Sequence, residues 1–239
     1  MTKIFSHLVP ANVLSRQSKQ PEARNSAVSK KSPPAKKMRL GWSVMLLLAI
    51  FLFILASRYL MLNPDTYFPE QKLVYMAHTT MLLMHIIGAM AAIIIGPFQF
   101  LDGIRKGRWL KIHRWLGRIY LLGVLFGGFG GLYMARLAYG GLPAQLGFAV
   151  LGLLWLFTGW MAYILIRNKE LERHREWMIR NYALTFAGVM LRLWLPLLTS
   201  IGLDFTIAYI AVAWLCWIPN LFVAQWLIHR NKVEQTLTA

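Results

Sequence analysis

Cysteine and acidic residues are what this sequence has least of: one Cys and nine Asp or Glu among 239 residues. The lone Cys216 excludes an intrachain disulfide and reads as a small apolar filler, not a redox thiol. None of the nine carboxylates falls inside the long apolar runs, which argues against the intramembrane carboxylate relays of ion-coupled transporters. Hydrolytic and nucleotide chemistry have no signature here, because HExxH, GxSxG and a P-loop are all missing. Charged residues amount to only 15%, against roughly a quarter in soluble domains, which excludes an ordinary cytosolic enzyme.

What the chain does have is apolar sequence in long runs, with 57% hydrophobic residues and a mean hydropathy of +0.49. Six runs, at 42–62, 77–98, 116–137, 146–166, 178–199 and 206–228, are long enough to cross a bilayer as helices. No alternating pattern suggests a barrel. The expected fold is all-α: a six-span transmembrane helical bundle over residues 41–230, followed by a short C-terminal tail at 231–239. Residues 1–40 differ in composition, with nine basic residues against Glu22 alone and many Ser, Pro and Ala. They are expected to form a disordered basic tail that sets topology or adheres to anionic lipid. The tail is too long for the n-region of a signal peptide.

The net charge of +17 is distributed unevenly. With the N-terminus in the cytoplasm, the tail, 99–115, 167–177 and the C-terminus lie inside. These segments and the adjoining helix ends carry 22 basic residues; only Arg58, Lys72, Arg136 and Arg192 lie elsewhere. That asymmetry predicts a multi-pass protein of the cytoplasmic membrane with both termini cytoplasmic. The basicity therefore sets orientation, and no nucleic-acid partner is expected. The expected partners are the bilayer and anionic headgroups at its cytoplasmic face. A homo-oligomer and a separate redox partner are both compatible with this reading.

Spans three and five open alike, as His113-Arg114-Trp115-Leu116-Gly117-Arg118-Ile119-Tyr120 and His174-Arg175-Glu176-Trp177-Met178-Ile179-Arg180-Asn181-Tyr182. Both contain His-Arg followed by Trp-x-x-Arg-x-Tyr, which suggests two helix-hairpin repeats entering from one side. His113 and His174 then sit at similar depth on different helices. They are the pair that meets the geometry of two axial imidazoles on one haem iron. The bland alternative is that Arg114, Arg118, Arg175 and Arg180 hold lipid phosphates while the histidines hydrogen-bond nearby.

In span two, His78, Met81 and His85 share a helix face at i, i+3 and i+7. Thioether and imidazole suit copper, so these three are a candidate copper site. Small residues continue the stripe through Gly88 or Ala89, Ala92 and Gly96, which points His85 into the bundle. At about 12 Å from the outer end, a polar ring needs a partner. Arg192 in span five reaches a similar level with no acidic residue beside it. It calls for an anionic partner, or else for backbone carbonyls at a break near Trp194-Leu195-Pro196. In span three, Gly123, Gly127 and Gly131 form a GxxxGxxxG stripe that serves either tight helix packing or clearance for a porphyrin edge.

Several ordered runs carry a resemblance. They are His85-Ile86-Ile87-Gly88, Gly96-Pro97-Phe98-Gln99-Phe100-Leu101, the two helix openings above, Leu191-Arg192-Leu193-Trp194-Leu195-Pro196 and Ala213-Trp214-Leu215-Cys216-Trp217-Ile218-Pro219-Asn220. From His85 to Ile228 the chain resembles bacterial predicted membrane proteins of domain of unknown function 2306. That resemblance implies a helical multi-pass membrane protein and no particular reaction. His113 to Gly117 is also similar to the His-Arg-x-Leu-Gly opening of cytochrome b561-like bundles, which use two cross-helix His pairs where this sequence presents one. The expected function is a membrane redox protein binding haem b, with His85, His113, His174 and Arg192 as cofactor-binding residues. The alternatives are the copper site and a non-enzymatic membrane protein whose His and Arg residues bind lipid and satisfy buried contacts.

Overall fold

The computed structural model describes residues 35–237. Most of the expected basic tail lies outside the described residues. The helices are α1 (Ala35–Ser57), α2 (Lys72–Ala77), α3 (Thr79–Gln99), α4 (Leu110–Ala135), α5 (Leu142–Arg167), α6 (Leu171–Thr185), α7 (Ala187–Ser200), α8 (Phe205–Leu215) and α9 (Ile218–Thr236). Among the described residues there is no strand. Six segments are long and apolar enough to span a membrane: Leu40–Met61, Thr79–Gln99, Gly107–Ala135, Leu142–Arg167, Leu171–Ser200 and Phe205–Val233. The chain is an integral membrane protein of six spans, all-α as expected.

Local chemistry explains most of the boundaries. The α4–α5 turn closes through Gly140 and Gly141, whose φ values of 85° and 70° favour glycine, and Pro143 then sits in the first turn of α5. Asp204 caps α8 by accepting from the N–H groups of Thr206 and Ile207. α9 runs on to Thr236, past the expected span end at 228.

Two departures matter for the site. The fifth span is interrupted at Phe186, not near Pro196, which is accommodated inside α7. The Phe186 carbonyl accepts from both Val189 and Met190, so a locally tightened turn separates α6 from α7 without a proline. The second span is interrupted at His78, whose φ and ψ of −124° and 34° leave the helical region. His78 is the N-cap of α3, its carbonyl accepting from the Leu82 N–H at 3.1 Å.

Lipid offers apolar side chains no hydrophobic reason to leave it, so close packing must hold the helices together. The tightest seam joins α3 to α4. A Cβ on Gly88 would stand 2.5 Å from both Gly123 O and Gly127 N, so only glycine permits this approach. Outward, large apolar residues such as Leu47, Ile54, Trp160 and Phe222 are exposed, as lipid-facing residues should be. α1 is peripheral, packing on α3 and α7, with its Trp42 indole donating to Pro97 O at 2.9 Å. The end of the bundle holding Gln99, His113 and His174 is called the basic end below. Across the other end runs a strap, residues 58–71, tied down by Gln71 Nε2 donating to Leu137 O at 3.0 Å.

Candidate functional site

Beneath the strap lies a cavity of about 520 Å³ between α1, α3, α4, α5, α7 and α8. That volume is within the range of small-molecule and cofactor sites. His85 and Arg192 both line it, so the two residues that break the apolar rule of their spans share one chamber. Most other lining groups are apolar or aromatic, including Phe51, Leu82, Phe148 and Trp155, with phenols at Tyr59, Tyr75 and Tyr209.

His85 is held by one contact. Its Nδ1 lies 2.8 Å from the Gly127 carbonyl oxygen, which only accepts, so Nδ1 carries the proton. Nε2 then carries the lone pair, and among the described residues it makes no hydrogen bond. The α3–α4 seam makes this geometry: a Cβ on Gly131 would stand 2.7 Å from His85 Nδ1, and one on Gly130 would meet the His85 backbone. The glycine stripe thus serves tight packing chiefly, while Gly127, Gly128 and Gly131 also border the cavity.

Arg192 projects from α7 and donates from Nη1 to Gly188 O at 3.0 Å, one turn back on its own helix. The carbonyl it uses is this one, not those of the Trp194-Leu195-Pro196 run. Among the described residues, the bond to Gly188 O is the one hydrogen bond its guanidinium makes. On the strap side, burial pushes the Tyr75 phenol up. Lys72, hydrogen-bonded to Asp65 at 2.8 Å, holds that carboxyl below its usual value.

In the copper grouping of His78, Met81 and His85 the two imidazoles are engaged separately. His78 Nδ1 lies 3.0 Å from Tyr133 Oη and His85 Nδ1 binds Gly127 O; these partners are six residues, or about 9 Å, apart on α4. Among the described residues no cluster of three His, Cys, Asp or Glu side chains is positioned to hold a metal.

At the basic end, His113 and His174 are near enough for His174 to contribute to the electrostatic field at His113. His174 Nδ1 lies 2.8 Å from Ala162 O, whereas His113 Nδ1 is buried without a partner, as are Gln99 Nε2 and Arg105 Nε. Neither histidine lines the cavity. The two similar helix openings do form similar contacts: Arg118 lies over Trp115 at 5.0 Å and Arg180 over Trp177 at 4.9 Å. Arg180 is further engaged by Gln225 and Glu176, while Arg114 and Arg175 make no such contacts.

A family model described as Predicted membrane protein (DUF2306) matches residues 82–228. The chain belongs to that family. No curated protein and no solved structure matches it. The DUF2306 region contains His85, Gly127, Arg192 and both helix openings. α1 and the strap, which contribute Tyr59 and Phe68 to the cavity wall, lie before it.

Within the DUF2306 region, sequence reasoning passed over a buried polar cluster beside the cavity. Asn181, wholly buried, donates to Trp155 O and Thr158 Oγ1, both at 2.8 Å, and accepts from Tyr120 Oη at 2.6 Å. Thr185 accepts from Trp155 Nε1 at 2.8 Å, and both residues line the cavity. The available signal was Asn181 itself, an amide one turn into an apolar span, where a polar group needs partners.

Proposed function

We propose that this protein is a haem-binding redox protein of the cytoplasmic membrane, with the haem seated in the cavity and His85 as an axial ligand. The observation that carries the reading is the His85–Gly127 hydrogen bond. Metal-binding imidazoles generally donate their other N–H to a carbonyl or carboxylate, which fixes tautomer and ring orientation. His85 has that arrangement on a residue lining a chamber of cofactor size. The apolar and aromatic walls suit a porphyrin face, and Arg192 provides a positive charge at the rim. Bound haem supplies one-electron redox chemistry; the residues of this chain orient it, exclude water and set its surroundings.

Among the lining residues His85 is the single imidazole, so this site differs from a two-histidine sandwich. Met134 of α4 also lines the cavity and would be the thioether available to a bound haem. Phe51 lines the cavity and is half exposed on the outside of α1, which favours lateral access from the bilayer. The basic residues of 99–115 and 167–177 favour placing the basic end in the cytoplasm, with anionic headgroups at Arg114 and Arg175 and the cavity in the outer half.

The test is the visible spectrum of detergent-purified protein expressed with ample haem. A Soret band is expected, abolished by His85→Ala and retained in His113→Ala and His174→Ala. Loss in the latter two with retention in the first would move the ligands to the basic end. No band at all would overturn the proposal.

A further inference from the structure

Arg192 borders a second, smaller space. A pocket of about 150 Å³ adjoins the main cavity and is lined by Leu55, Arg58, Tyr59, Thr66 and Arg192. Leu55, Tyr59 and Arg192 line both spaces, so the small pocket is the polar head of the large one. Two arginines line it and no acidic residue does. The acids at this end are otherwise placed: Asp65 pairs with Lys72 at 2.8 Å, Asp204 caps α8, and Glu70 lies exposed on the strap. Thr66 Oγ1 is already committed to Asn63 O at 2.7 Å.

A guanidinium with no acid beside it is costly in a largely apolar setting, and Arg192 is so placed. An anion removes that penalty, and a guanidinium fork matches the paired oxygens of carboxylate or phosphate. We infer that Arg58 and Arg192 form an anion-binding pocket that holds the carboxylate or phosphate of an amphiphile whose apolar body occupies the main cavity. A haem propionate is one such group, so the inference deepens the reading above. It does not depend on iron.

The test uses full-length protein purified without haem. The probes are metal-free protoporphyrin IX against its dimethyl ester, followed by porphyrin fluorescence, and dodecyl phosphate against dodecanol, followed by tryptophan fluorescence. At least one anion is expected to bind tenfold or more tightly than its neutral counterpart. Protoporphyrin as the preferred anion identifies a carboxylate ligand, and dodecyl phosphate a lipid-like phosphate. Arg58→Gln, at an exposed position, and Arg192→Lys are each expected to weaken the anion about tenfold and leave the neutral probe unchanged. Because no iron is present, the outcome does not depend on ligation at His85, which separates this site from the iron ligand. Equal binding of acids and neutral probes, or indifference to Arg58→Gln, overturns the inference. Displacement of either anion by millimolar inorganic phosphate would identify a free anion and overturn the assignment to an amphiphile.

Discussion

His85 donates its Nδ1 proton to the carbonyl oxygen of Gly127, 2.8 Å away on the neighbouring helix. The bond fixes the tautomer and leaves Nε2 as the nitrogen able to bind a metal. If haem occupies the cavity, its spin state reports the opposite side. A thioether there would give a low-spin spectrum that Met134→Leu converts to high spin. An open site is high spin from the outset and takes up imidazole. Reduced-minus-oxidised spectra with and without imidazole separate the two, and a two-histidine spectrum surviving His85→Ala would contradict this ligation.

The seam that positions His85 can be tested without any cofactor. Gly88→Ala places a methyl 2.5 Å from two backbone atoms of α4, which cannot yield as a side-chain tip would. Overpacking of this kind costs about 1–3 kcal/mol. Gly103, whose Cβ direction is open, is the matched control and Gly103→Ala is expected to be near neutral. Thermal unfolding of the two variants in one detergent makes the comparison. Equal melting temperatures would show that α3 and α4 separate more readily than their contact implies.

The spans were legible because apolar run length is set by bilayer thickness and needs no tertiary information. Arg192 and His85 were legible as exceptions, since an ionisable group in an apolar run needs a reason wherever it points. Their shared cavity was not legible, because it depends on where α7 lies against α3, and that placement follows from the interruption at Phe186. No proline marks that interruption; Pro196, the visible breaker, sits inside α7. The face shared by His78 and His85 contains a break that was not legible for a similar reason. A helical period assumes unbroken helix, and His78 leaves helical geometry. Asn181 was visible in the sequence, but its partners lie on α4 and α5, beyond any local pattern.

The arginines at the basic end divide by what already occupies them. Arg180 stacks on Trp177 and hydrogen-bonds Gln225 of α9 at 3.0 Å, so it joins α6 to α9. Arg114 is exposed and makes no such tie. Arg180→Gln is therefore expected to lower the melting temperature in neutral detergent. Arg114→Gln is expected to leave that temperature unchanged and to reduce the stabilisation gained on adding anionic phospholipid. Melting curves with and without phosphatidylglycerol distinguish the two roles, and an equal lipid response in both variants would contradict the division.

Asn181 joins α6 to α4 and α5 through three hydrogen bonds, each to a buried partner. Asn181→Leu removes them together and leaves the Trp155 carbonyl and Tyr120 hydroxyl with fewer partners. Tyr120 retains Thr185 Oγ1 at 3.0 Å, so its loss is partial. Hydrogen bonds between membrane helices average about 0.6 kcal/mol, so three of them predict a loss of about 2 kcal/mol. Tyr120→Phe removes one of these bonds and its bond to Thr185, and is expected to cost roughly two-thirds as much. Because both residues belong to one network, the double variant should be less destabilised than the sum of the singles. A double-mutant cycle in detergent unfolding measures that difference. Strict additivity would mean the two side chains act independently despite their 2.6 Å contact.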